Sequence, residues 1–164
     1  MDRTDFLNCL QEFTENAVKN SILPVSFQRD DKSEPEPRAP AVYKMRIPDA
    51  KSAKKKAPYI LHQIVTGKDQ QKPGQKTASF VTVRTIFCVY SSDEQEGGML
   101  LLQLMERVRI ALLKQRVIGN RYALDMESAL ECLCYPDDTA PYYAGEMVTV
   151  WRLPAVEMEV PNWP

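Results

Sequence analysis

Few side chains in this sequence of 164 residues have the type and spacing that catalysis requires. The single histidine, His62, lies within an apolar segment that predicts a strand. Ser–His–Asp chemistry depends on a free base, and no second histidine is present to supply one. An alternative is a pair of His62 with Cys88 across neighbouring strands, but no helix N-terminus flanks Cys88 to activate its thiol. We therefore expect His62 to be a structural residue with satisfied hydrogen bonds.

The cysteines and acidic residues also lack the spacing of a metal site. Cys132 and Cys134 are separated by one residue, whereas zinc knuckles place two residues between ligands and need a second pair. Asp137 and Asp138 are adjacent and lack the spaced ligands of a calcium loop. Neither a GxGxxG motif nor a phosphate-binding P-loop occurs. We expect no enzymatic activity, no metal and no cofactor, and we expect Cys9, Cys88, Cys132 and Cys134 to be buried, inert thiols.

The composition is that of a globular protein with little net charge. Apolar residues make up 44% and charged residues 26%, and the formal net charge is -1. A nearly neutral chain is not suited to general nucleic-acid binding, which requires a basic surface. No apolar run approaches the ~20 residues that span a bilayer, so we expect no membrane partner. The N-terminal segment lacks the pattern of a signal peptide, which predicts a cytosolic protein.

Hydrophobic periodicity predicts one α+β domain over 1–164. We expect a mostly antiparallel β-sheet flanked by an N-terminal helix and a long central helix. The predicted helices run from Thr4 to Lys19, capped by Thr4 or Asp2, and from a cap at Ser92 to Gly119 or Asn120. The predicted strands are Pro58–Thr66, Ala78–Tyr90, Tyr122–Leu124, Ala129–Tyr135 and Tyr142–Leu153, with shorter candidates at Ile22–Phe27 and Val42–Ile47.

The central helix is more apolar than one buried face requires. Leu101, Leu104, Val108, Ala111 and Leu112 recur at helical spacing and predict its buried stripe. A second set widens that stripe, namely Leu100, Leu102, Met105 and Ile110. We therefore expect this helix to contact something in addition to the sheet.

Two kinds of residue are candidates for partner contact. Residues 28–57 form a predicted flexible region, proline-rich over Gln28–Pro40 and then lysine-rich, and 155–164 form an extended tail. The lysine cluster is Lys51, Lys54, Lys55 and Lys56, which we interpret either as a solvated loop or as a surface facing an acidic partner or DNA. Gly67–Lys76 is predicted to be a further polar loop.

The aromatic candidates are Tyr142, Tyr143 and Trp163. Tyrosine and tryptophan are enriched in protein interfaces because they are large, stiff and amphipathic. The alternative for the two tyrosines is an aromatic pair at the edge of the core, where the last strand begins.

The order and local phrasing of several segments are similar to those of a known family. Pro58-Tyr59-Ile60 is followed by Tyr90-Ser91-Ser92-Asp93, and Gly97 and Gly98 then precede the helix LLLQLMERVRIALL. The chain continues with Pro141-Tyr142-Tyr143-Ala144-Gly145-Glu146 and the strand MVTVWRLP. Over about Lys56 to Pro154, this pattern resembles the tail-terminator or tail-completion (neck) proteins of long-tailed bacteriophages and prophages.

The resemblance implies a non-enzymatic virion protein that forms a ring, usually a hexamer, in the tail-neck region. Such a ring caps the tail tube, ends tail growth and provides the joining surface to the head connector. The implied partners are copies of the chain itself, the tail tube protein, and head connector or neck proteins, with the host cytoplasm as the place of assembly. DNA passing through the pore would favour inward-facing cations, for which Lys54, Lys55 and Lys56 are candidates. The alternatives are another head-tail joining protein or an unrelated cytosolic adaptor that binds proteins.

Overall fold

The computed structural model describes residues 2–26, 35–48, 56–136 and 139–160. Within these ranges the chain forms two helices, α1 (Arg3–Val18) and α2 (Glu94–Gln115). It also forms seven strands, which are β1 (Ala41–Lys44), β2 (Tyr59–Gln70), β3 (Ala78–Tyr90), β4 (Val117–Ile118), β5 (Tyr122–Leu124), β6 (Glu131–Cys134) and β7 (Tyr142–Leu153). The α+β class expected from the sequence is confirmed.

The strands belong to one sheet with the order β1-β2-β3-β7-β5-β4, and β6 also pairs with β7. The long strands β3 and β7 lie side by side and antiparallel, in register from Ser79↔Leu153 to Tyr90↔Tyr142. Both strands have the bounds that their alternating apolar residues predict. β1 runs parallel to β2, so the sheet departs from the expected antiparallel pairing at that edge.

Both helices cover the same face of the sheet. Alternate residues of β3 are buried on this face, and they share one apolar cluster with side chains of α1 and α2. Phe6 of α1 is fully buried between the rings of Tyr122 and Trp151, with ring centroids 5.4 Å and 5.3 Å away. The opposite sheet face has a smaller cluster at one end, formed by Ile47, Ala57, Tyr59, Leu61 and Cys88. The molecule is therefore a two-layer structure whose second sheet face is mostly uncovered by the described elements.

The β2–β3 hairpin is longer than the sequence indicates. β2 continues to Gln70 because its residues stay in register with β3 as far as the Gln70↔Ala78 pair, with an irregularity between Ile64 and Thr66. The polar loop predicted from Gly67 was therefore wrong at its start. Cross-strand pairing overrides the low strand propensity of glycine and charged residues here.

The N-terminal connection contains less strand than expected. Ile22–Phe27 was wrongly predicted to be a strand, since its described part makes only an isolated bridge between Leu23 and Arg38. β1 ends at Lys44 because Met45 adopts a positive φ of 63°, which breaks the extended backbone. The end of Gln28–Pro40 is also not an exposed loop: Pro40 is buried, and Arg38 hydrogen-bonds through its backbone to Leu23.

The helix ends differ from expectation at α2. Asp2 caps α1 by accepting a hydrogen bond from the backbone N of Asp5 at 2.9 Å, as predicted. The cap of α2 is Asp93 instead of Ser92, and its carboxylate accepts from the backbone N of Gln95 at 2.9 Å. The helix ends before Gly119, because Arg116 takes the left-handed conformation and β4 begins at the next residue. Among the described helices, none has the length and apolar character needed to span a bilayer.

Candidate interaction surfaces

Both ring nitrogens of the lone histidine have hydrogen-bond partners inside the fold. His62 is buried under α1, where the Thr14 hydroxyl donates to the Leu10 carbonyl at 2.7 Å. The Thr14 oxygen therefore accepts from His62 Nε2, 2.8 Å away, and Nδ1 accepts from the Thr85 hydroxyl at 2.8 Å. Burial lowers the pKa of His62 to about 3, so the ring is neutral at physiological pH. The expectation that the hydrogen bonds of His62 are satisfied is confirmed.

The alternative pairing of His62 with Cys88 does not form. His62 is opposite Thr85 on β3, whereas Cys88 is opposite Tyr59 and lies on the other sheet face. Burial is the main cause that raises the pKa of the Tyr59 hydroxyl, and Cys88 adds to this effect. In the described part of the chain, no group of three or more His, Cys, Asp or Glu side chains is arranged to hold a metal ion.

The prediction of four buried thiols was wrong for two of them. Cys88 is buried and Cys9 half-buried, but Cys132 and Cys134 are exposed. Their strand, β6, pairs with β7 on one side, and all four of its residues are exposed. Cys134 contacts the sulfur of Met105 on α2 at 3.8 Å. Cys132 is exposed, yet partial desolvation of its thiol is the main cause that raises its pKa; Arg109 opposes this shift and Glu106 adds to it.

The two candidate interface tyrosines make contacts inside the molecule. The Tyr142 ring lies 5.7 Å from that of Tyr90, and its hydroxyl is 3.0 Å from the Ser26 hydroxyl. The Tyr143 ring covers Gly97 so closely that a side chain at position 97 would overlap it. Both tyrosines are half-buried, which is the arrangement of the core-edge alternative, and their role in an interface stays a prediction. The third candidate, Trp163, lies outside the described residues.

The predicted lysine cluster is described only at its end. Lys51, Lys54 and Lys55 lie outside the described residues, whereas Lys56 is half-exposed. The Lys56 carbonyl accepts from Arg38 Nη2 at 2.8 Å, and this contact ties the end of the cluster to the preceding connection.

A second group of cations lies on and near the β2–β3 hairpin. Part of this hairpin, Gly67–Lys76, is predicted from the sequence to be a polar loop. The exposed cations are Lys44, Arg46, Lys68, Lys72 and Lys76. The nearby carboxylate, Asp69, is bound by Arg3 at 3.0 Å and so is already paired. The spacing of Lys68, Lys72 and Lys76 is visible in the sequence. Parallel pairing of β1 with β2 places Lys44 opposite His62, six residues before Lys68.

The outward face of α2 carries the expected extra apolar residues. Leu102 and Ile110 are 43% and 42% exposed, and Met99 at the start of the helix is 50% exposed. Leu102 and Ile110 border a shallow groove with Gln103, Glu106 and Arg107. The prediction that these residues widen the buried stripe was right for Met105, which is 2% exposed, and wrong for Leu102 and Ile110. In the described structure no element covers them.

The uncovered sheet face is mixed in character. Arg84 of β3 binds Glu146 of β7 at 2.5 Å and donates to the Tyr135 hydroxyl at 3.0 Å. Half-exposed apolar side chains surround this pair, namely Phe80, Ile86, Val148 and Val150. This face therefore presents apolar side chains among polar ones, which include the ion pair and Arg152, whose guanidinium carbon lies 5.9 Å from the Phe80 ring centroid.

After β7 the chain continues without regular secondary structure and with exposed apolar side chains. Val156, Met158 and Val160 are 87%, 84% and 78% exposed, and Glu157 and Glu159 lie between them. That 155–164 form an extended tail stays a prediction.

Comparison with known proteins identifies no relative: no protein-family model and no curated protein matches this chain. The function must therefore be inferred from the surfaces above and from the resemblance in the sequence.

Proposed function

We propose that this protein is a structural subunit of a bacteriophage tail, which assembles into a ring on the end of the tail tube. The observation that carries the proposal is the apolar outward face of α2, where Leu102 and Ile110 are more than two-fifths exposed. Contiguous apolar surface rimmed by polar residues is typical of a protein interaction site. Here Gln103, Glu106 and Arg107 line the groove together with the two apolar side chains, and Glu106 lies one helical turn from each of them.

A ring subunit must contact a neighbour on each side, and this molecule has apolar surface on two opposite sides. The α2 face lies on the helix layer. The half-exposed side chains of Phe80, Ile86, Val148 and Val150 lie on the uncovered sheet face. A subunit that joins its copies head to tail uses two different patches in this way. An adaptor with a single binding site would need only one of them, which favours the ring over the adaptor.

The phage setting is supported by the resemblance of Lys56 to Pro154 to tail-terminator and tail-completion proteins. That resemblance implies a sheet flanked by helices, and the two-layer architecture is compatible with it. In this proposal the ring is a hexamer, ends tail growth and meets the head connector. No catalytic step is part of the role, since the fold engages both nitrogens of the lone histidine.

The proposal is tested by mixing the protein with polymerising tail tube protein and viewing the product by negative-stain microscopy. We expect tubes that carry a cap density at one end and have a restricted length. Tubes of unlimited length without caps would refute the proposed function.

A pair of variants connects this test to the α2 face. Leu102→Asp with Ile110→Asp should leave the fold intact, because both side chains are exposed, and should abolish capping by placing carboxylates in a desolvated contact. Met126→Asp is the matched control, since Met126 is 39% exposed in the turn before β6 and should cap like the wild type. Equal capping by the double variant and the control would exclude the α2 face as the contact surface.

Lys54, Lys55 and Lys56 are proposed to face the DNA in the pore. Changing all three to Glu should allow capping and reduce infectivity, because it reverses charge along the DNA path. Wild-type infectivity of the triple variant would exclude a pore-lining role.

A further inference from the structure

The residues Val156–Val160, which we call the C-terminal arm, have the pattern of an unpaired strand. Apolar and acidic residues alternate strictly, so an extended backbone places the three apolar side chains on one face and both glutamates on the other. The apolar side chains are 78–87% exposed, far more than large apolar groups in an ordered chain usually are. Within the described structure the arm belongs to no strand.

The hairpin offers an open strand edge of matching length. β2 pairs with β3 along its length, but β1 covers it only from Tyr59 to His62. Met45 then occupies the position beside Ile64, with its sulfur 3.4 Å from the backbone N. The remaining six residues, Val65–Gln70, form what we call the hairpin edge, which has no strand beside it among the described residues. An open edge of this kind is a template for another strand.

The surroundings of the hairpin edge complement the arm. Val65 and Met45 are 51% and 49% exposed, so apolar groups are available at one end of the edge. The cations of the hairpin are exposed, and Asp69 is neutralised by Arg3. These positive charges match Glu157 and Glu159. Three other described strands have an open side. β1 and β4, at the two ends of the sheet, are only four and two residues long, and β6 contains Glu131 and follows Asp125 and Glu127.

The arm cannot easily reach the hairpin edge of its own chain. It leaves from β7, and β3 separates β7 from β2 in the sheet order. Leu153 is opposite Ser79, and Val156 lines a pocket with Arg3, Asp69 and Ser79 of its own chain, so the arm starts beside α1 on the helix-covered face of the sheet. To pair with the outer side of its own β2, the arm would have to pass across that strand, whereas the arm of a second copy can approach the open edge directly.

We infer that the C-terminal arm of one copy adds as a β-strand to the hairpin edge of a second copy. Backbone hydrogen bonds supply affinity, and the alternating side chains fix which face of the arm meets which face of the sheet. Because donor and acceptor are different surfaces, the contact is directional and generates a ring or a chain of copies. The inference deepens the proposed function, since both require several copies in one assembly.

The test crosslinks two different variants of the full chain. One carries Val65→Cys and a size tag, and the other carries Met158→Cys; in both, the accessible thiols are removed by Cys9→Ser, Cys132→Ser and Cys134→Ser. They are mixed and treated with a short bismaleimide, both free over a concentration series and in the presence of tail tubes. We expect a mixed dimer whose linked peptides contain positions 65 and 158. In the matched control, Met126→Cys replaces Val65→Cys, since Met126 is 39% exposed and lies outside both the α2 face and the hairpin edge.

The charges are tested in the same assay. Glu157→Lys with Glu159→Lys should lower the mixed-dimer yield roughly tenfold, as expected for two surface ion pairs of ordinary strength. Glu157→Gln with Glu159→Gln should have a smaller effect. A mixed dimer equally abundant in the Met126→Cys control, or absent with and without tubes, would overturn the inference. So would retention of short duplex DNA by the hairpin cations with no mixed dimer. Capped tubes without the mixed dimer would refute only the inference about the C-terminal arm. A mixed dimer without capped tubes would refute only the proposed function.

Discussion

At the scale of single residues, two adjacent glycines of α2 have opposite requirements. A Cβ at Gly97 would overlap ring carbons Cε2 and Cζ of Tyr143, whereas a Cβ at Gly98 would meet open space. Gly97→Ala should therefore destabilise the fold by about 1–3 kcal/mol through overpacking. Gly98→Ala should stabilise it by about 0.5–1 kcal/mol, because alanine loses less backbone entropy in a helix. Urea unfolding followed by circular dichroism measures both.

A double-mutant cycle tests whether the Tyr143 ring is what excludes a side chain at position 97. In a double-mutant cycle, Gly97→Ala should cost much less when combined with Tyr143→Ala, since the ring is then absent. An unchanged cost in that background would show that the ring does not impose glycine at position 97.

The buried histidine predicts a pH dependence of stability. Burial lowers the pKa of His62 to about 3, below its ordinary value of 6.5, so the unfolded chain binds a proton more readily than the folded one. The contribution of His62 is therefore fully present above pH ~6.5 and is lost as the pH falls towards 3, with a slope of at most about 1.4 kcal/mol per pH unit. His62→Gln should remove this slope between pH 7 and 5. Urea unfolding of both proteins across that range measures it, and parallel curves would contradict the assignment.

At the scale of elements, two neighbouring side chains at the start of α2, Ser92 and Asp93, differ in whether they cap the helix. Asp93 accepts a hydrogen bond from the backbone N of Gln95, while Ser92 is exposed and precedes the cap. Asp93→Ala should cost about 1 kcal/mol of unfolding free energy, and Ser92→Ala less than about 0.5 kcal/mol. Thermal unfolding of the two variants side by side tests the assignment. A larger loss of unfolding free energy for Ser92→Ala than for Asp93→Ala would identify Ser92 as the cap.

Elements with strong periodicity could be predicted from the sequence, and those set by tertiary contacts could not. β3 and β7 follow from their alternating apolar residues, and α1 follows from its apolar stripe. The extension of β2 to Gln70 depends on pairing with β3, and the parallel placement of β1 depends on how the chain returns to β2. Neither pairing leaves a local pattern in the residues concerned.

At the scale of the whole molecule, the candidate surfaces were only partly predictable. The excess of apolar residues in α2 indicated a second contact, and Leu102 and Ile110 provide its exposed face. The tyrosines at the start of β7 are typical of interfaces in composition, yet their rings pack on Tyr90 and over Gly97. The hairpin edge could not be predicted, because an open edge is defined by where a neighbouring strand stops.

At this scale, one aromatic contact joins the first helix to β5 and to the last strand of the sheet. Phe6 of α1 is 0% exposed and lies between Tyr122 of β5 and Trp151 of β7, while the Tyr122 hydroxyl donates to Asp5. Phe6→Ala should therefore cost about 3–5 kcal/mol, a large part of the roughly 5–15 kcal/mol that stabilises a domain. Phe13→Ala, on the half-buried side of the same helix, should cost about 1–1.5 kcal/mol. Urea unfolding by far-UV circular dichroism compares them, and because the fold closes as one unit the slope against urea should match the wild type. Equal losses in the two variants would show that α1 is held by its whole apolar stripe and not by this contact.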